Sequence, residues 1–577
     1  MDCKTRGAAR ETTIGESSRI NSPDPMRIPP AMKKRPTLIV LALGVLATGF
    51  FSVDDDDFFT LRKSFRIFGS VYEELVTGYV DRPDPERLMR VGIHAMLEDL
   101  DPYTTFIDEA DNTQIHIITR GSYGGVGLSI DVRNEKIIVV EPIEGTSGYK
   151  QGVRTGDVII EIEGQSTDGM TLSDLRNLMR GEPGTAVELT VEREGAPEPI
   201  RFLLYRQQVT LKNVSFTGFA DSSSGIGYIK FDRFARGAAS EFREAVETLQ
   251  KTDRMEGLVI DLRDNPGGLL DEAVEVTQLF VPLGSVIVST RGRTLQNERV
   301  YRSTSPPIAP GLPLVVLVGE ITASASEIVS GALQDLDRAV VLGTPTFGKG
   351  LVQVIKPLPY NTSLKMTTSK YYTPSGRSIQ AIDYNEKQDA GATIVDSLQQ
   401  QFTTRNGRPV SNGRGVEPDR LAPLETESEL EKALVRRAAF FFYANHFAAL
   451  NDSIPPGFTV SDDILTDFAA WLEEEQFTYR TDAEHALQTL DAQLTENGYE
   501  SAQDEMEALR EVMLFEKQTA FERHSENLKK QLREEILARY FGQSAQIAAS
   551  FDHDAQILAA VHLLEDLPAY RRILAPR

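Results

Sequence analysis

Between residues 208 and 425, short apolar runs alternate with amphipathic helical patterns, and this alternation constrains the fold more than any other feature. GIGYIKF precedes AASEFREAVETLQK, GLVIDLR precedes LLDEAVEVTQLF, and LPLVVLV precedes SASEIVSGALQD. Apolar strands separated by helices are typical of a sheet that is buried on both faces. We therefore expect an α/β core, in which the polar stretch at 381–412 is an inserted loop or hairpin.

Three further regions differ from this core in their pattern of apolar and charged residues. This agrees with the length of the chain, since 577 residues are too many for a single hydrophobic core. Residues 58–117 carry apolar residues at helical spacing and predict a helical N-terminal domain. Residues 118–207 show short alternating strands and glycine turns, which predict a small, mostly β module. Residues 426–577 read as long, charged, amphipathic helices, either a solvated bundle or an arm for packing or dimerisation.

The first 57 residues predict a leader. Three basic residues at 33–35 precede an apolar run at 38–53, and four aspartates follow it. The run is short for a membrane span and long for a signal peptide, and the small residues at 47–49 fit a cleavage site. Since basic flanks stay in the cytoplasm, we expect an exported protein of the periplasm or cell envelope, either released or anchored in the inner membrane.

The charge and the cysteine and histidine content argue against several function classes. A net charge of −24 argues against nucleic-acid binding, which needs a basic surface. The one cysteine, Cys3, lies in the leader, so we expect no disulfide and no thiol chemistry beyond it. The seven histidines show no metal-ligand spacing, and we expect neither a metal nor a cofactor.

The segment EITASASEIVSGALQD, residues 320–335, begins a predicted helix and leaves two interpretations of Ser324. Ser324 and Glu327 match the capping box S-x-x-E, in which both side chains only satisfy backbone amides at the helix start. Alternatively, Ser324 is a nucleophile. No histidine occurs between His116 and His446 and no G-x-S-x-G motif is present, so nothing favours a Ser-His-Asp triad.

A lysine can act as the base for a serine when burial lowers its pKa towards neutrality. In this acidic chain, the segment GTPTFGKGLVQ at 343–353 contains Lys349 as its only charged residue. Gly348 and Gly350 allow close backbone approach, and Gln353 can hydrogen-bond the amine without adding charge. The alternative is an ordinary surface lysine in a glycine loop, which composition alone favours.

An acyl-transfer site also needs amide donors for an oxyanion. Ala325 follows Ser324 at the N-terminus of the predicted helix, so its N–H is one candidate. The segment DLRDNPGGLL runs from a strand end into a helix start and offers the amide of Gly267 or Gly268 as a second. The alternative interpretation of NPGG is a plain turn.

Four segments, in the order GLVIDLRDNPGGLL, TASASEIVSGALQD, GTPTFGKGLVQ and YYTPSGRSIQ, resemble the carboxy-terminal processing (tail-specific) protease family. The resemblance covers about residues 58–425. It implies a Ser-Lys dyad, and the residues that match are Ser324 as nucleophile, Lys349 as base, Gln353 as the assisting residue, and Gly268 and Ala325 as oxyanion donors.

The stretch from GGVGLSI to VEREG resembles the PDZ domain of this family. Such domains bind a chain-terminal carboxylate with the amides of a glycine loop and take the last side chain into an apolar pocket. The resemblance implies a tail-binding site made of Gly125, Val126, Gly127, Leu128 and Ile130, opposite Leu175 and Met179. Arg180 is a further candidate, for coupling tail binding to the active site. Each of these residues, taken singly, also fits an ordinary β module.

The resemblance implies a multidomain α/β fold with a helical N-terminal part, a PDZ domain, a crotonase-like α/β core and a helical C-terminal extension. We expect a serine endopeptidase that binds the C-terminal tails of proteins and cleaves near them. Protein or peptide substrates are the expected partners, and a homodimer and a regulatory or adaptor protein are left open. Two alternatives remain: a PDZ-bearing scaffold that binds tails without cutting, and a crotonase-like enzyme acting on acyl thioesters.

Overall fold

The computed structural model describes residues 55–109, 121–221, 223–252, 255–293, 297–382, 384, 400–423, 427–499 and 502–576. The chain divides into two compact units, one up to Gly92 and one from Ile93 onward. The apolar run 38–53 and Cys3 lie outside the described residues, so the predictions made from them stay predictions. Among the helices that are described, none combines the length and the apolar character needed to cross a bilayer.

The N-terminal region is helical as far as Glu98 and then becomes extended. Its elements are α1 (Asp55–Gly78), α2 (Pro85–Glu98) and strand β1 (Thr105–Ile107). The side chain of Asp84 accepts the backbone N–H of Glu86 at 2.9 Å, which satisfies a free donor at the start of α2. β1 is part of a sheet in the α/β core, so the stretch 58–117 contributes more than helices.

The β module that follows is built from two antiparallel sheets and two short helices. Its elements are β2 (Ser122–Gly125), β3 (Leu128–Arg133), β4 (Lys136–Pro142), α3 (Ser147–Gln151), β5 (Val158–Ile162), β6 (Gln165–Ser166), α4 (Leu172–Met179), β7 (Ala186–Glu192), β8 (Ile200–Tyr205) and β9 (Gln207–Thr210). The larger sheet has the order β3-β4-β5-β7-β8, with β6 on β5, and β2 pairs with β9. Val139, Ile162 and Leu189 lie in its core and are fully buried.

The α/β core alternates strands and helices, as the sequence predicts. Its elements are β10 (Val214–Asp221), β11 (Ile226–Phe231), α5 (Ala238–Gln250), β12 (Gly257–Asp261), α6 (Leu270–Gln278), β13 (Val286–Gly292), β14 (Arg299–Arg302), β15 (Leu314–Val318), α7 (Ala325–Asp335), β16 (Val340–Gly343), β17 (Leu351–Pro357), β18 (Ser363–Tyr372), β19 (Gln401–Thr403), β20 (Pro409–Ser411) and β21 (Arg420–Leu421).

Two sheets organise this core. The central one has the order β10-β11-β12-β15-β16-β21, and all its pairs are parallel except β10 with β11. The second is antiparallel and contains β1, β13, β14, β17 and β18. Of the polar stretch 381–412, the described part includes the hairpin β19–β20. Because parallel strands share one direction, the loops after β12, β15 and β16 meet at one edge of the central sheet.

The C-terminal region consists, in its described residues, of helices joined by loops. Its elements are α8 (Glu429–Arg436), α9 (Ala439–Leu450), α10 (Asp462–Glu474), α11 (Asp482–Glu496), α12 (Gln503–Arg523), α13 (Ser525–Phe541), α14 (Gln543–Ser550), α15 (Ala555–Glu565) and α16 (Leu567–Leu574). A first group of these helices has its own core around Tyr443, Phe468 and Leu532.

The last two helices belong to the α/β core by their packing. Residues of α15 and α16, such as Leu564 and Tyr570, lie in one buried cluster with Val259, Val315 and Leu317 of the central sheet. The hydroxyl oxygen of Tyr570 lies 3.0 Å from the backbone nitrogen of Leu314. The other face of the sheet packs against α5, α6 and α7. The central strands are therefore buried on both faces, which is why they read as continuous apolar runs.

Candidate active site

Ser324 lies at the N-terminus of α7, in the loop that follows β15. Its backbone has φ 55° and ψ −112°, a conformation that a residue with a Cβ rarely adopts. Such backbones persist only where their surroundings hold them, and they cluster at functional sites. Ser324 is half-buried, and its hydroxyl makes no hydrogen bond with any described residue. Ser324 and Glu327 therefore keep the capping-box arrangement, while the serine hydroxyl is left without a cap hydrogen bond.

The carboxylate of Glu327 connects the serine to the lysine segment. Glu327 is fully buried, and it accepts the backbone N–H of Ser324 at 2.7 Å and of Lys349 at 2.9 Å. It also accepts the N–H of Gly348 at 2.7 Å and the hydroxyl of Thr346 at 2.5 Å. Burial raises the pKa of Glu327 to about 6, and these hydrogen bonds oppose that rise. One carboxylate thus fixes the backbones of both candidate catalytic residues.

Lys349 lies between Gly348 and the start of β17, and it is half-buried. Burial lowers its pKa to about 8, the positive charge of Lys365 adds to the effect, and the carboxylates of Glu327 and Asp101 oppose it. Its ammonium group lies 4.5 Å from the centre of the Tyr103 ring and makes no hydrogen bond with a described residue. A lysine with this pKa is partly neutral at physiological pH and can accept a proton.

Gln353 lies on β17, four residues after Lys349, and its side chain is oriented towards the neighbouring strand. Its amide nitrogen lies 3.3 Å from the hydroxyl of Thr367, the residue paired with it on β18. Within the described residues it makes no hydrogen bond with Lys349. Gln353 is therefore close to the candidate base Lys349 in sequence, but its side chain does not make the contact expected of an assisting residue.

Two backbone amides beside Ser324 are free to act as donors. Neither Ala325 N–H nor Gly268 N–H makes a hydrogen bond with a described residue. Gly267 has φ +98°, and a Cβ placed on it would lie 2.8 Å from Ala325 N and 2.9 Å from Ser324 Cβ. The glycine pair of NPGG is therefore packed directly against the serine, which excludes the interpretation as a plain turn.

Two tyrosines complete the site, and the sequence gives no local signal of their roles. The hydroxyl oxygen of buried Tyr371 lies 3.0 Å from Ser324 O and 2.8 Å from Lys349 O, so it joins the two loops a second time. Tyr103 follows Asp101, whose carboxylate accepts its N–H at 2.8 Å. Tyr371 begins YYTPSGRSIQ, one of the four segments that carry the family resemblance, and Tyr103 lies just before β1; the contacts of both depend on strand pairing in the second sheet.

The predicted tail-binding residues line one cavity of about 230 Å³ in the β module. Its described lining includes most of the residues expected from the sequence: Val126, Gly127, Leu128, Ile130, Met179 and Arg180. Gly125 is absent from the lining, but its backbone forms an antiparallel bridge with that of Arg180. Leu175 is fully buried in the core beneath α4.

The loop at the mouth of this cavity presents free amides. The carbonyls of Val126 and Gly127 accept the N–H groups of Gly148 and Ile143 at 2.9 and 2.8 Å. Their own N–H groups make no hydrogen bond with a described residue. Gly127 has φ +76°, and a Cβ on it would lie 2.2 Å from Thr146 Cβ, so only glycine fits. Arg180 lies 5.2 Å from the ring centre of Tyr123, and burial lowers its pKa.

Three descriptions of known families match parts of this chain. The description "Peptidase family S41" matches residues 225–388, "PDZ domain" matches residues 138–193, and "Probable PDZ-protease, C-terminal helical domain" matches residues 430–564. The predicted multidomain α/β fold with a PDZ domain, a protease core and a helical C-terminal region is confirmed.

Relatives with related names match between about half and two thirds of the chain. A carboxy-terminal-processing protease of Bartonella bacilliformis is 40% identical over 323 residues, which are 56% of this chain and 73% of the relative. A probable CtpA-like serine protease of Staphylococcus aureus is 32% identical over 54% of this chain and 61% of its own length. The solved photosystem II D1 C-terminal processing protease is 29% identical over 62% of this chain and 86% of its own, with a TM-score of 0.35. The chain belongs to the carboxy-terminal-processing proteases of peptidase family S41, and it is a serine peptidase.

Proposed function

We propose that this serine peptidase binds the C-terminal tails of protein substrates through its PDZ domain and cleaves them by a Ser-Lys dyad. The observation that carries the proposal is the shared carboxylate of Glu327. It holds the backbones of Ser324 and Lys349 at 2.7 and 2.9 Å, so a hydroxyl and a pKa-lowered amine share one rigid frame. A common frame of this kind supports activation of the serine by a neighbouring base, for which the hydroxyl and the amine must come within hydrogen-bond reach.

Lys349 acts in its neutral form. It takes the proton of Ser324 as Oγ attacks the carbonyl carbon of the scissile peptide bond, and it then gives that proton to the leaving amine. The acyl-enzyme is hydrolysed by a water molecule that loses a proton to the same lysine. Burial and the charge of Lys365 keep the pKa of Lys349 at about 8, close to the working pH of a general base.

The negative charge that develops on the carbonyl oxygen is stabilised by the N–H groups of Ala325 and Gly268. Ala325 is the first residue of α7, so the helix dipole adds to its hydrogen bond. Removing a single donor of this type costs about a hundredfold or more in kcat in serine proteases. Gln353 has a supporting role, through its bond to Thr367 on the face of the second sheet.

Tail recognition uses the cavity of about 230 Å³ in the PDZ domain. The N–H groups of Val126 and Gly127 bind the terminal carboxylate, and the pocket of Leu128, Ile130 and Met179 takes an apolar last side chain. The backbone bridge between Arg180 and Gly125 connects Arg180 to the glycine loop, so that binding of a substrate tail in the loop is transmitted to Arg180. We also propose export to the periplasm or cell envelope, on the sequence pattern at 33–53 alone.

Cleavage of a protein or peptide with an apolar C-terminal tail tests the proposal. The wild-type chain should cleave, and Ser324→Ala should abolish cleavage while still binding a fluorescent tail peptide. An otherwise identical peptide with an amidated C-terminus should bind weakly, because the terminal carboxylate is lost. If Ser324→Ala still cleaves, the dyad is wrong. If the wild type binds tails without cutting, the chain is a tail-binding scaffold.

The pH dependence of kcat/KM identifies the base. The rate should rise about tenfold per pH unit and level off above pH 8, because only neutral Lys349 accepts the serine proton. Lys365→Gln is a matched control that leaves the dyad intact. The charge of Lys365 lowers the pKa of Lys349, so its removal in this variant should move the rising part of the pH profile to higher pH. If the rising part of the pH profile stays in place in Lys365→Gln, or is still present in Lys349→Ala, Lys349 is not the general base.

A further inference from the structure

The start of α15 lies against the loop that carries Gly268, although the two are far apart in sequence. We call residues 262–268 the oxyanion loop. The loop begins directly after Asp261, the last residue of β12, and ends at the glycine pair packed on Ser324. Asp554, the N-cap of α15, reaches the beginning of this loop through Arg263.

Arg263 uses both ends of its guanidinium group. On one side, its Nε lies 3.0 Å from Asp261 Oδ1 and one terminal nitrogen lies 2.7 Å from Asp261 Oδ2. On the other side, the second terminal nitrogen donates to Asp554 Oδ2 at 2.7 Å and to Gln556 Oε1 at 3.0 Å. Charge-assisted pairs of this bidentate kind fix orientation as well as adding energy. The side chain is mostly buried, so water competes little for these bonds.

The environment of Asp261 makes this arrangement rigid. Asp261 is 1% exposed, and burial alone would raise its pKa. The charges of Arg263 and Lys230 outweigh burial and hold its pKa below the usual range, and the Tyr228 hydroxyl donates to it at 2.5 Å. A buried carboxylate with these partners cannot turn away, so Asp261 fixes one side of the Arg263 guanidinium group and Asp554 holds the other side.

The rest of the oxyanion loop is held by its own side chains. Asn265 Oδ1 accepts the N–H of Gly267 at 2.9 Å, and its side-chain nitrogen donates to Phe231 O at 2.7 Å. Its carbonyl accepts the hydroxyl of Ser326 in α7 at 2.9 Å. The end of the loop is therefore tied to the serine helix. Its beginning is held by the Leu262 N–H, which donates to Leu317 O at 2.9 Å, and by the Thr322 hydroxyl, which donates to Leu262 O at 2.7 Å, and Arg263 adds a connection to α15.

We propose that Asp554 and Gln556 are positioning residues, by which the C-terminal helical region sets the oxyanion loop against Ser324. Gln556 extends the connection, because its side-chain nitrogen donates to Ala422 O at 2.5 Å and Ala422 N donates to Gly343 O at the end of β16. The inference rests on the proposed function, in which the Gly268 amide stabilises the oxyanion. Neither residue touches the substrate.

Three residues at position 554 separate this role from helix stability. Asp554 Oδ1 caps α15 by accepting the N–H groups of Gln556 and Ile557 at 2.9 and 3.0 Å, and Oδ2 holds Arg263. Asp, Asn and Ser are about equally good N-caps. Asp554→Asn keeps the cap but turns its NH₂ group, a donor, towards Arg263, and Asp554→Ser keeps the cap but does not reach Arg263.

The experiment measures kcat, KM and the affinity for a peptide boronic acid in the full chain. Because a small displacement at a catalytic site costs one to two orders of magnitude, kcat should fall about tenfold in both Asp554→Ser and Asp554→Asn, since both keep the cap and neither keeps an acceptor for Arg263. KM and tail-peptide affinity should stay constant. The boronic acid, whose tetrahedral adduct with serine needs the oxyanion donors, should weaken by the same factor as kcat.

Asp552→Ser is the matched control, because Asp552 is an exposed carboxylate two residues away that bonds Arg533 and His553. It should leave kcat unchanged. Equal kcat in the wild type and both position-554 variants overturns the inference, and so does a change confined to KM. If the wild type does not cleave at all, the proposed function fails first and the positioning role fails with it.

Discussion

Two helices in this protein begin with the same capping-box signature, and only one of them is a candidate nucleophile site. α7 begins with Ser324 and Glu327, and α8 begins with Ser428 and Glu431. Both glutamates are buried, at 0% and 2% exposure, and each accepts the N–H of its serine at 2.7 Å. Up to this point the two helix starts are alike.

They differ in the serine. Ser428 has φ −67° and its hydroxyl accepts the N–H of Glu431 at 3.2 Å, which completes the capping box. Ser324 has φ 55°, and the N–H of Glu327 donates to the Ser324 carbonyl at 3.0 Å; the serine hydroxyl keeps its capping-box position but makes no cap hydrogen bond. A strained backbone that releases a hydroxyl from capping has no benefit for helix stability.

They differ equally in what else the glutamate holds. Glu327 accepts three further donors, from Thr346, Gly348 and Lys349, whereas the additional partner of Glu431 is the ring of His524 at 3.8 Å. The capping carboxylate of α7 therefore organises a second loop that carries the candidate base. The partners of the buried glutamate, and not the S-x-x-E pattern, therefore distinguish the candidate nucleophile site from an ordinary helix cap.

The largest expected effect concerns the packing of Gly267 against the start of α7. In Gly267→Ala, the new Cβ would lie 2.5 Å from Ala323 O and 2.9 Å from Ser324 Cβ, so either the serine or the oxyanion loop must move. We expect kcat for peptide cleavage to fall about a thousandfold, since the oxyanion donors and the nucleophile separate. Steady-state kinetics with one fixed substrate measures it.

Gly284→Ala is the control for Gly267→Ala. Gly284 has φ +83°, close to the +98° of Gly267, but a Cβ there has no neighbour within 4 Å. It therefore carries the same kind of backbone strain without the clash. Similar kinetics in the two variants would mean that strain alone, and not the fit against Ser324, lowers the rate.

Replacement of a buried capping glutamate by glutamine should give the next largest change in kcat. In Glu327→Gln, an NH₂ group replaces an oxygen that accepts two donors, so the loops of Ser324 and Lys349 can no longer be held together. We expect kcat to fall about a hundredfold from misplacement of the dyad. Glu431→Gln makes the same chemical change at α8 and should leave kcat unaltered. An equal loss in both variants contradicts the distinction between the two helices.

The pH profile of the wild type sharpens the role of Glu327. Its pKa is raised to about 6, so the fold favours the protonated form, and the stabilisation from this group is lost as the pH rises through 6. Protonation places a hydrogen on an oxygen that accepts other donors. The logarithm of kcat should therefore fall more steeply below pH 6 than the slope of one due to Lys349, and Glu327→Gln should lack the steeper part.

Much of the fold and part of the site follow from local sequence. Apolar runs locate the central strands because these strands are buried on both faces, and the acid-free segment locates Lys349 because neighbouring carboxylates would raise its pKa. The pairing of Gly267 with Ser324 follows from parallel strands whose loops meet at one edge of the sheet. These inferences need only periodicity, charge and strand direction.

The remainder depends on contacts between distant segments. Tyr103 approaches Lys349 because β1 pairs with β18, and Arg263 reaches Asp554 because α15 packs on the central sheet. The sequence of a three-residue strand does not show which strand it pairs with, and the sequence of a helix cap does not show which side chain it contacts. Gln353 shows the reverse case, since its spacing suggested a contact with Lys349 and strand pairing turns its side chain to Thr367. Side-chain direction is set by the pleat, which sequence spacing near a loop does not fix.

The smallest expected effect tests the comparison through stability. Removal of the cap in Ser428→Ala should destabilise the start of α8 by about 1 kcal/mol, because the hydroxyl that accepts the Glu431 N–H is lost. Ser324→Ala should leave the start of α7 unchanged, since its hydroxyl caps nothing. Hydrogen-exchange mass spectrometry measures both: exchange in the first turn of α8 should rise about fivefold, whereas that of α7 stays constant. Faster exchange at α7 in Ser324→Ala would show that Ser324 does cap its helix, and the two helix starts would then differ in chemistry without differing in structure.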